Sequence, residues 1–144
     1  MHNNLFLNRL LINTNDHKVA YDEKFMRGIN IINGDNSSGK STISHFIFYV
    51  LGGYFNDWVK EAKRCREVLA EVEMNRNVFT LRRGININVE TGKGNPTESI
   101  YIYWGPMAEA LLVPAHDWQK FNYNTTAERK SFSNVFLKNL ICQL

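Results

Sequence analysis

Between residues 34 and 41 the chain reads Gly34-Asp35-Asn36-Ser37-Ser38-Gly39-Lys40-Ser41, the pattern G-x-x-x-x-G-K-[ST]. No other stretch restricts the fold as much, because the pattern works only where a strand runs into a glycine-rich turn and the turn opens a helix. Gly34 and Gly39 permit backbone angles that turn successive N–H groups inward, which makes a concave anion site suited to phosphates. In such a loop Lys40 places a point charge on the β and γ oxygens. Ser41 offers a hydroxyl to Mg2+, and the helix that begins here adds its positive end.

The flanking sequence supplies both required neighbours. Ile29, Asn30, Ile31 and Ile32 form a short apolar run consistent with a buried strand. From Ser41 onward Ile43, Phe46, Ile47, Val50 and Leu51 fall at i, i+3, i+4, i+7 and i+8, one face of an amphipathic helix that Gly52 and Gly53 stop. Upstream, Leu5 to Ile12 and Val19 to Phe25 read as strands about a polar turn at residues 13–18. Downstream, Asn56 to Glu67 reads as a loop or a short helix. Val68, Ala70, Val72 and Met74 then alternate with Leu69, Glu71 and Glu73, Asn75 to Asn77 suit a tight turn, and Val78 to Arg83 returns as the partner strand. Ile85, Ile87 and Val89 alternate with Asn86 and Asn88 ahead of a turn at Thr91 to Pro96 and a strand at Ser99 to Trp104, so two consecutive antiparallel hairpins are expected. Thr125 and Glu128 have capping-box spacing before a helical stripe at Phe132, Val135, Phe136 and Leu140.

With 144 residues the chain has room for one domain, residues 1–144, and one core. Seventeen Lys and Arg against fourteen Asp and Glu give a net charge of +3, spread without a basic arm or acidic tail. The longest apolar stretch, Phe46 to Phe55, is about half the roughly 20 residues that span a bilayer, and the N-terminus lacks the zones of a signal peptide. No membrane association is expected, and a cytoplasmic location is. Cys65 and Cys142 stand in no metal-like or CxxC spacing and read as reduced thiols, and His2, His17, His45 and His116 have no mutual metal spacing.

The run Gly28-Ile29-Asn30-Ile31-Ile32-Asn33-Gly34-Asp35-Asn36-Ser37-Ser38-Gly39-Lys40-Ser41-Thr42-Ile43, after two strands and before Tyr49-Val50-Leu51-Gly52-Gly53, resembles the N-terminal lobe of the SMC, RecF, RecN and SbcC class of ABC-type ATPases. The resemblance covers residues 5 to about 83. It implies an α/β P-loop NTPase fold, ABC-ATPase-like, with a mixed sheet and antiparallel hairpins. It also implies an ATP- and Mg2+-binding head whose full form acts in DNA repair, DNA maintenance or defence against foreign DNA. Carried over residue by residue, Gly34, Asp35, Asn36, Ser37, Ser38, Gly39, Lys40, Ser41 and Thr42 form the nucleotide site. Lys40 is then the phosphate-binding and catalytic lysine, Ser41 the Mg2+ ligand, and Thr42 lies near the α-phosphate. The class often has Asn-Phe after its first strand where this chain has Thr14-Asn15, so no adenine contact is assigned.

Hydrolysis in this class also needs a Walker B carboxylate pair, a Gln-containing loop and a signature motif. The only apolar run ending in an acid is Leu111 to Asp117, and Pro114 within it favours an ordinary loop over a central strand. The resemblance therefore implies an incomplete active site: hydrolysis waits on a C-terminal lobe or partner subunit and a homodimeric head, with DNA contacted through the full assembly. The C-terminal stripe either docks on that partner or packs on its own core. A small P-loop kinase and a non-catalytic, nucleotide-gated interaction module are the alternatives, and the antiparallel hairpins speak against the kinase. Lys60, Lys63, Arg64 and Arg66 form a basic cluster interleaved with Glu61 and Glu67, which favours a solvated face over a DNA contact. Arg82 and Arg83 read as edge-strand charges or as nucleotide or DNA contacts. Tyr101, Tyr103 and Trp104 read as cross-strand pairs rather than base-stacking platforms.

Overall fold

The computed structural model describes residues 5–32, 39–88 and 90–122. Among the described residues six strands form one sheet: β1 (Leu5–Thr14), β2 (Val19–Lys24), β3 (Cys65–Met74), β4 (Asn77–Gly84), β5 (Ile100–Tyr103) and β6 (Gln119–Phe121), in the order β2-β1-β3-β4-β5-β6. Every neighbouring pair is antiparallel. The expected mixed sheet is thus corrected to an antiparallel one, within an α/β fold. The run expected to add a strand, Ile29–Ile32, is irregular chain, with Ile29 91% and Ile31 76% exposed. Its asparagine bonds locally: the Asn30 side chain accepts a hydrogen bond from the Met26 N–H (2.8 Å) and donates one to the Met26 carbonyl (2.6 Å). Such side-chain bonds compete with a ladder and close a loop instead.

Both faces of the sheet are covered. The alternation of β3 sends Val68, Ala70, Val72 and Met74 to one face, where they meet Leu10 and Ile12 of β1, Phe79 and Leu81 of β4 and Ile100 and Ile102 of β5. Helix α1 (Lys40–Val50) lies on this face and buries Phe46, Tyr49 and Val50, each worth roughly 1.5–3 kcal/mol. Ile43, Ile47 and Leu51 pack against the same core, which is the stripe expected from the sequence. The helix ends at Leu51, and Gly52 adopts φ 102, the left-handed conformation expected of a glycine stop. On the other face Leu11 and Leu69 join Met107 and Ala110 of the short helix α2 (Met107–Ala110) and Trp118. The Glu71 carboxylate reaches across to accept the Met107 N–H at 2.8 Å.

The β3–β4 turn follows from its residue types. Asn75 (φ 52) and Arg76 (φ 71) take the two left-handed positions of a two-residue hairpin, so Asn77 is already in the strand, opposite Met74. The second expected hairpin differs. Residues 85–88 are not a regular strand: β4 ends at Gly84, Ile87 forms an isolated bridge with Gly94, and β5 returns to pair with β4 itself. Asparagine again supplies the reason, since the Asn88 side chain accepts the N–H groups of Glu90 and Thr91 and curls the chain into a turn. Val89 and the capping box at Thr125 and Glu128 with its helical stripe lie outside the described residues. A 3-10 turn at Lys60–Arg64 leads into β3 and carries most of the basic cluster, and a second occupies Ala115–Asp117. Among the described residues no helix is long and apolar enough to cross a membrane.

Candidate functional site

Helix α1 starts where the glycine-lysine-serine sequence puts it. Gly39 is its N-terminal boundary residue, at φ 84 and ψ 17, and a Cβ at this position would be strained by the backbone angles alone. The first intrahelical bond runs from the Ile43 N–H to the Gly39 carbonyl at 3.0 Å. The amides of Lys40, Ser41 and Thr42 precede it, at the end of the helix where the dipole is positive. No acidic residue occupies the first turn, so no carboxylate of the helix competes for that positive end.

This helix end forms one wall of a cleft of about 830 Å³, a volume within the range of small-molecule sites. Gly39, Lys40, Ser41, Thr42, Ile43 and Phe46 line it on the α1 side. Ile12 of β1 and Ala20 and Tyr21 of β2 line it from the first hairpin. Ile32, Val59, Glu61, Ala62 and Cys65 close it from the segments before the helix and before β3. The lining is apolar apart from the hydroxyls and thiol, with Lys40 and Glu61 as its charged members. Burial pushes the Cys65 thiol above its usual range, and burial with the nearby Glu23 charge does the same to the Tyr21 phenol. Both groups are therefore neutral hydrogen donors at neutral pH.

The hairpin wall is pinned from outside by Arg9, whose Nε and Nη2 donate to the two carboxylate oxygens of Asp22, each at 2.8 Å. That fork holds the Asp22 carboxyl below its ordinary pKa. At the far side, Asn13 donates to Glu67 at 3.1 Å and Asn15 to the Lys63 carbonyl at 3.1 Å, so the β1–β2 turn is tied to the entry of β3.

Of the expected nucleotide-site residues, Gly39, Lys40, Ser41 and Thr42 line this cleft together, whereas Gly34, Asp35, Asn36, Ser37 and Ser38 lie outside the described residues. Leu111 to Asp117 forms the end of α2, a turn and a 3-10 turn, not a strand, and α2 with Trp118 packs on the sheet face opposite α1. Among the described residues no group of three His, Cys, Asp or Glu side chains could hold a metal.

Arg83 is neither an edge charge nor a ligand contact. β4 is interior to the sheet, and Arg83 is fully buried on the α1 face. Arg82 faces the other way, its guanidinium 5.0 Å from the centre of the Tyr101 ring and 4.7 Å from that of Trp118. Tyr101 is thus engaged with its cross-strand neighbour, as its pairing with Arg82 in the ladder requires. The Trp104 ring approaches Phe79 at 5.6 Å and Tyr103 approaches Trp118 at 5.8 Å.

Cys65, Tyr21 and Ile12 carried no sequence signal as cleft residues, because it is pairing across β1, β2 and β3 that brings them to the helix. Arg83 did carry one: strand alternation places it on the same side as Phe79 and Leu81.

A family model described as an AAA domain matches residues 24–140, from the last residue of β2 through α1 and strands β3 to β6. No curated protein matches the chain. The matched span covers most of the chain and contains an ATPase-type domain, and the chain belongs to the AAA domain family.

Proposed function

We propose that the cleft at the start of α1 binds ATP with Mg2+, and that the chain is the nucleotide-binding lobe of an SMC-, RecF- or SbcC-like ATPase that works on DNA in repair, maintenance or defence. The observation that carries this reading is the convergence of Gly39, Lys40, Ser41 and Thr42 on one cleft at the positive end of a helix, directly behind the Gly-x-x-x-x-Gly-Lys-Ser sequence. The donor set fits the ligand: backbone N–H groups of a first helical turn, an ammonium for the β and γ oxygens and a hydroxyl for the metal. The six residues from Gly34 to Gly39 and the side chains of Lys40, Ser41 and Thr42 would hold the triphosphate. Ile12, Ala20, Val59 and Ala62 give the other side of the cleft an apolar wall. Bound Mg2+ would supply charge neutralisation to the phosphates, with Ser41 as its protein ligand.

The exposed run Ile29–Ile32 supports the two-lobed part of the reading. Three isoleucines in four residues have the composition of a core strand, yet Ile29 and Ile31 stand in solvent just ahead of the phosphate-loop sequence. A complementary lobe that adds strands there would bury them and supply Walker B and signature residues, with head-to-head dimerisation completing the site. The isolated chain then binds nucleotide with little or no turnover.

Calorimetric titration with ATP and Mg2+ tests the binding claim. The parent should bind, and Lys40→Ala should weaken binding about tenfold or more, a loss of about 1.4 kcal/mol per factor of ten. Equal affinity in the two proteins would contradict the reading. Turnover that needs a small phosphoryl acceptor would point instead to the kinase alternative, which the antiparallel sheet disfavours.

A further inference from the structure

Among the described residues the largest fully buried side chain is a charged one, Arg83. Its hydrogen bonds fan out to backbone carbonyls in separate segments. Nη1 donates to Tyr49 O in the last turn of α1 at 2.7 Å and to Gly53 O just beyond it at 2.8 Å. Nη2 donates to Pro96 O at 2.7 Å and Nε to Glu98 O at 3.1 Å, both in the excursion between β4 and β5. The guanidinium lies 3.9 Å from the centre of the Tyr49 ring. Tyr49 completes the brace in the opposite direction: its hydroxyl donates to Gly84 O, the carbonyl next to Arg83, at 2.7 Å and approaches Asn95 O at 3.4 Å. Burial raises the Tyr49 phenol to about 12, so it stays a donor at any physiological pH.

From these contacts we infer that Arg83, braced by Tyr49, is a positioning residue for the phosphate-binding end of α1, a role that rests on the nucleotide reading of the cleft. Burying a guanidinium is costly, and an apolar side chain would fill the space. What an apolar side chain cannot do is bond four carbonyls at once and hold the negative end of the helix against the sheet. α1 has eleven residues and so is about 16 Å long, a rigid rod whose far end carries Lys40, Ser41 and Thr42. Fixing the C-terminal turn at Tyr49 and Gly53 fixes the tilt of that rod, and with it the placement of the amides and side chains that face the cleft. The same guanidinium ties residues 96–98 to the helix, so the excursion and the cleft share one anchor. Lysine in place of Arg83 keeps the charge but has no planar fork with which to reach all four acceptors.

The test is calorimetric titration of the full chain with ATP and Mg2+, at a temperature where near-ultraviolet circular dichroism shows each variant folded. Arg83→Lys should bind at least tenfold more weakly than the parent, and Tyr49→Phe several-fold more weakly. Leu69→Val, which loosens the packing on the opposite sheet face, should bind within twofold of the parent and so separate positioning from overall stability. Parent-like affinity in folded Arg83→Lys overturns the inference alone. If that variant does not fold, parent-like affinity in Tyr49→Phe overturns it. Absence of binding by the parent overturns the nucleotide reading and this inference together.

Discussion

Arg82 and Arg83 are adjacent in sequence and opposite in consequence. Alternation along β4 sends Arg83 into the α1 core and Arg82 onto the aromatic face, where Tyr101 and Trp118 flank it. A pair of arginines at the end of a strand suggests surface charge, and the composition of the pair does not distinguish its members. The interior position of β4 does. At the β2 edge of the sheet, the Arg9–Asp22 fork makes the first hairpin pH-sensitive in a defined direction. Asp22 has its carboxyl pKa lowered by the hydrogen bond from Arg9, then by the charge itself. The unfolded chain, with a pKa of about 3.9, therefore takes up the proton first as pH falls, and the contribution is present above that value and lost below it. Urea unfolding at pH 5.5 and again near pH 3 should show the parent losing more stability between the two than Asp22→Asn does. Equal losses would mean that the fork contributes nothing in solution.

At the level of elements, helix α1 and the β3–β4 hairpin were legible because their side chains follow a period. Ile43, Phe46, Ile47 and Val50 mark one helical face, and Val68, Ala70, Val72 and Met74 mark one strand face, in each case against the core that buries them. The first hairpin was legible too, with β1 running two residues further than its apolar run, to Thr14. Two segments were not. Ile29–Ile32 and residues 85–88 have strand composition, but Asn30 and Asn88 bond locally, and in the first case no neighbouring strand is offered among the described residues. Composition specifies what a segment can bury, whereas a ladder also requires a partner. Replacing Ile29 and Ile31 together by Asn should change the stability of the chain by less than about 0.5 kcal/mol per site, as for surface positions. Phe46→Ala, at 2% exposure, should cost about 3–5 kcal/mol. Denaturant unfolding of the two variants decides the matter, and a loss of core size from the isoleucine pair would show that the run is packed in solution.

At the scale of the whole molecule, the described residues form an antiparallel sheet with a different helix on each face, and that asymmetry organises its chemistry. The α1 face holds the cleft, the buried Arg83 brace and the larger core; the α2 face holds an aromatic cluster and Val113 of the Leu111–Asp117 segment. The phosphate-loop pattern was the most readable part of the sequence, since it names both its loop and its flanking helix. The far wall of the same cleft was unreadable, since Ile12, Tyr21 and Cys65 reach it only through strand pairing. Membership of the AAA domain family agrees with an ATPase-type domain over residues 24–140. The central claim is that the nucleotide sits against the start of α1, and amide hydrogen exchange of the full chain with and without saturating ATP and Mg2+ tests it most directly. Exchange should slow at residues 39–43 and along the cleft wall at residues 61–65, with little change at α2 on the opposite face. Unchanged exchange at residues 39–43, or protection confined to the α2 face, would contradict it.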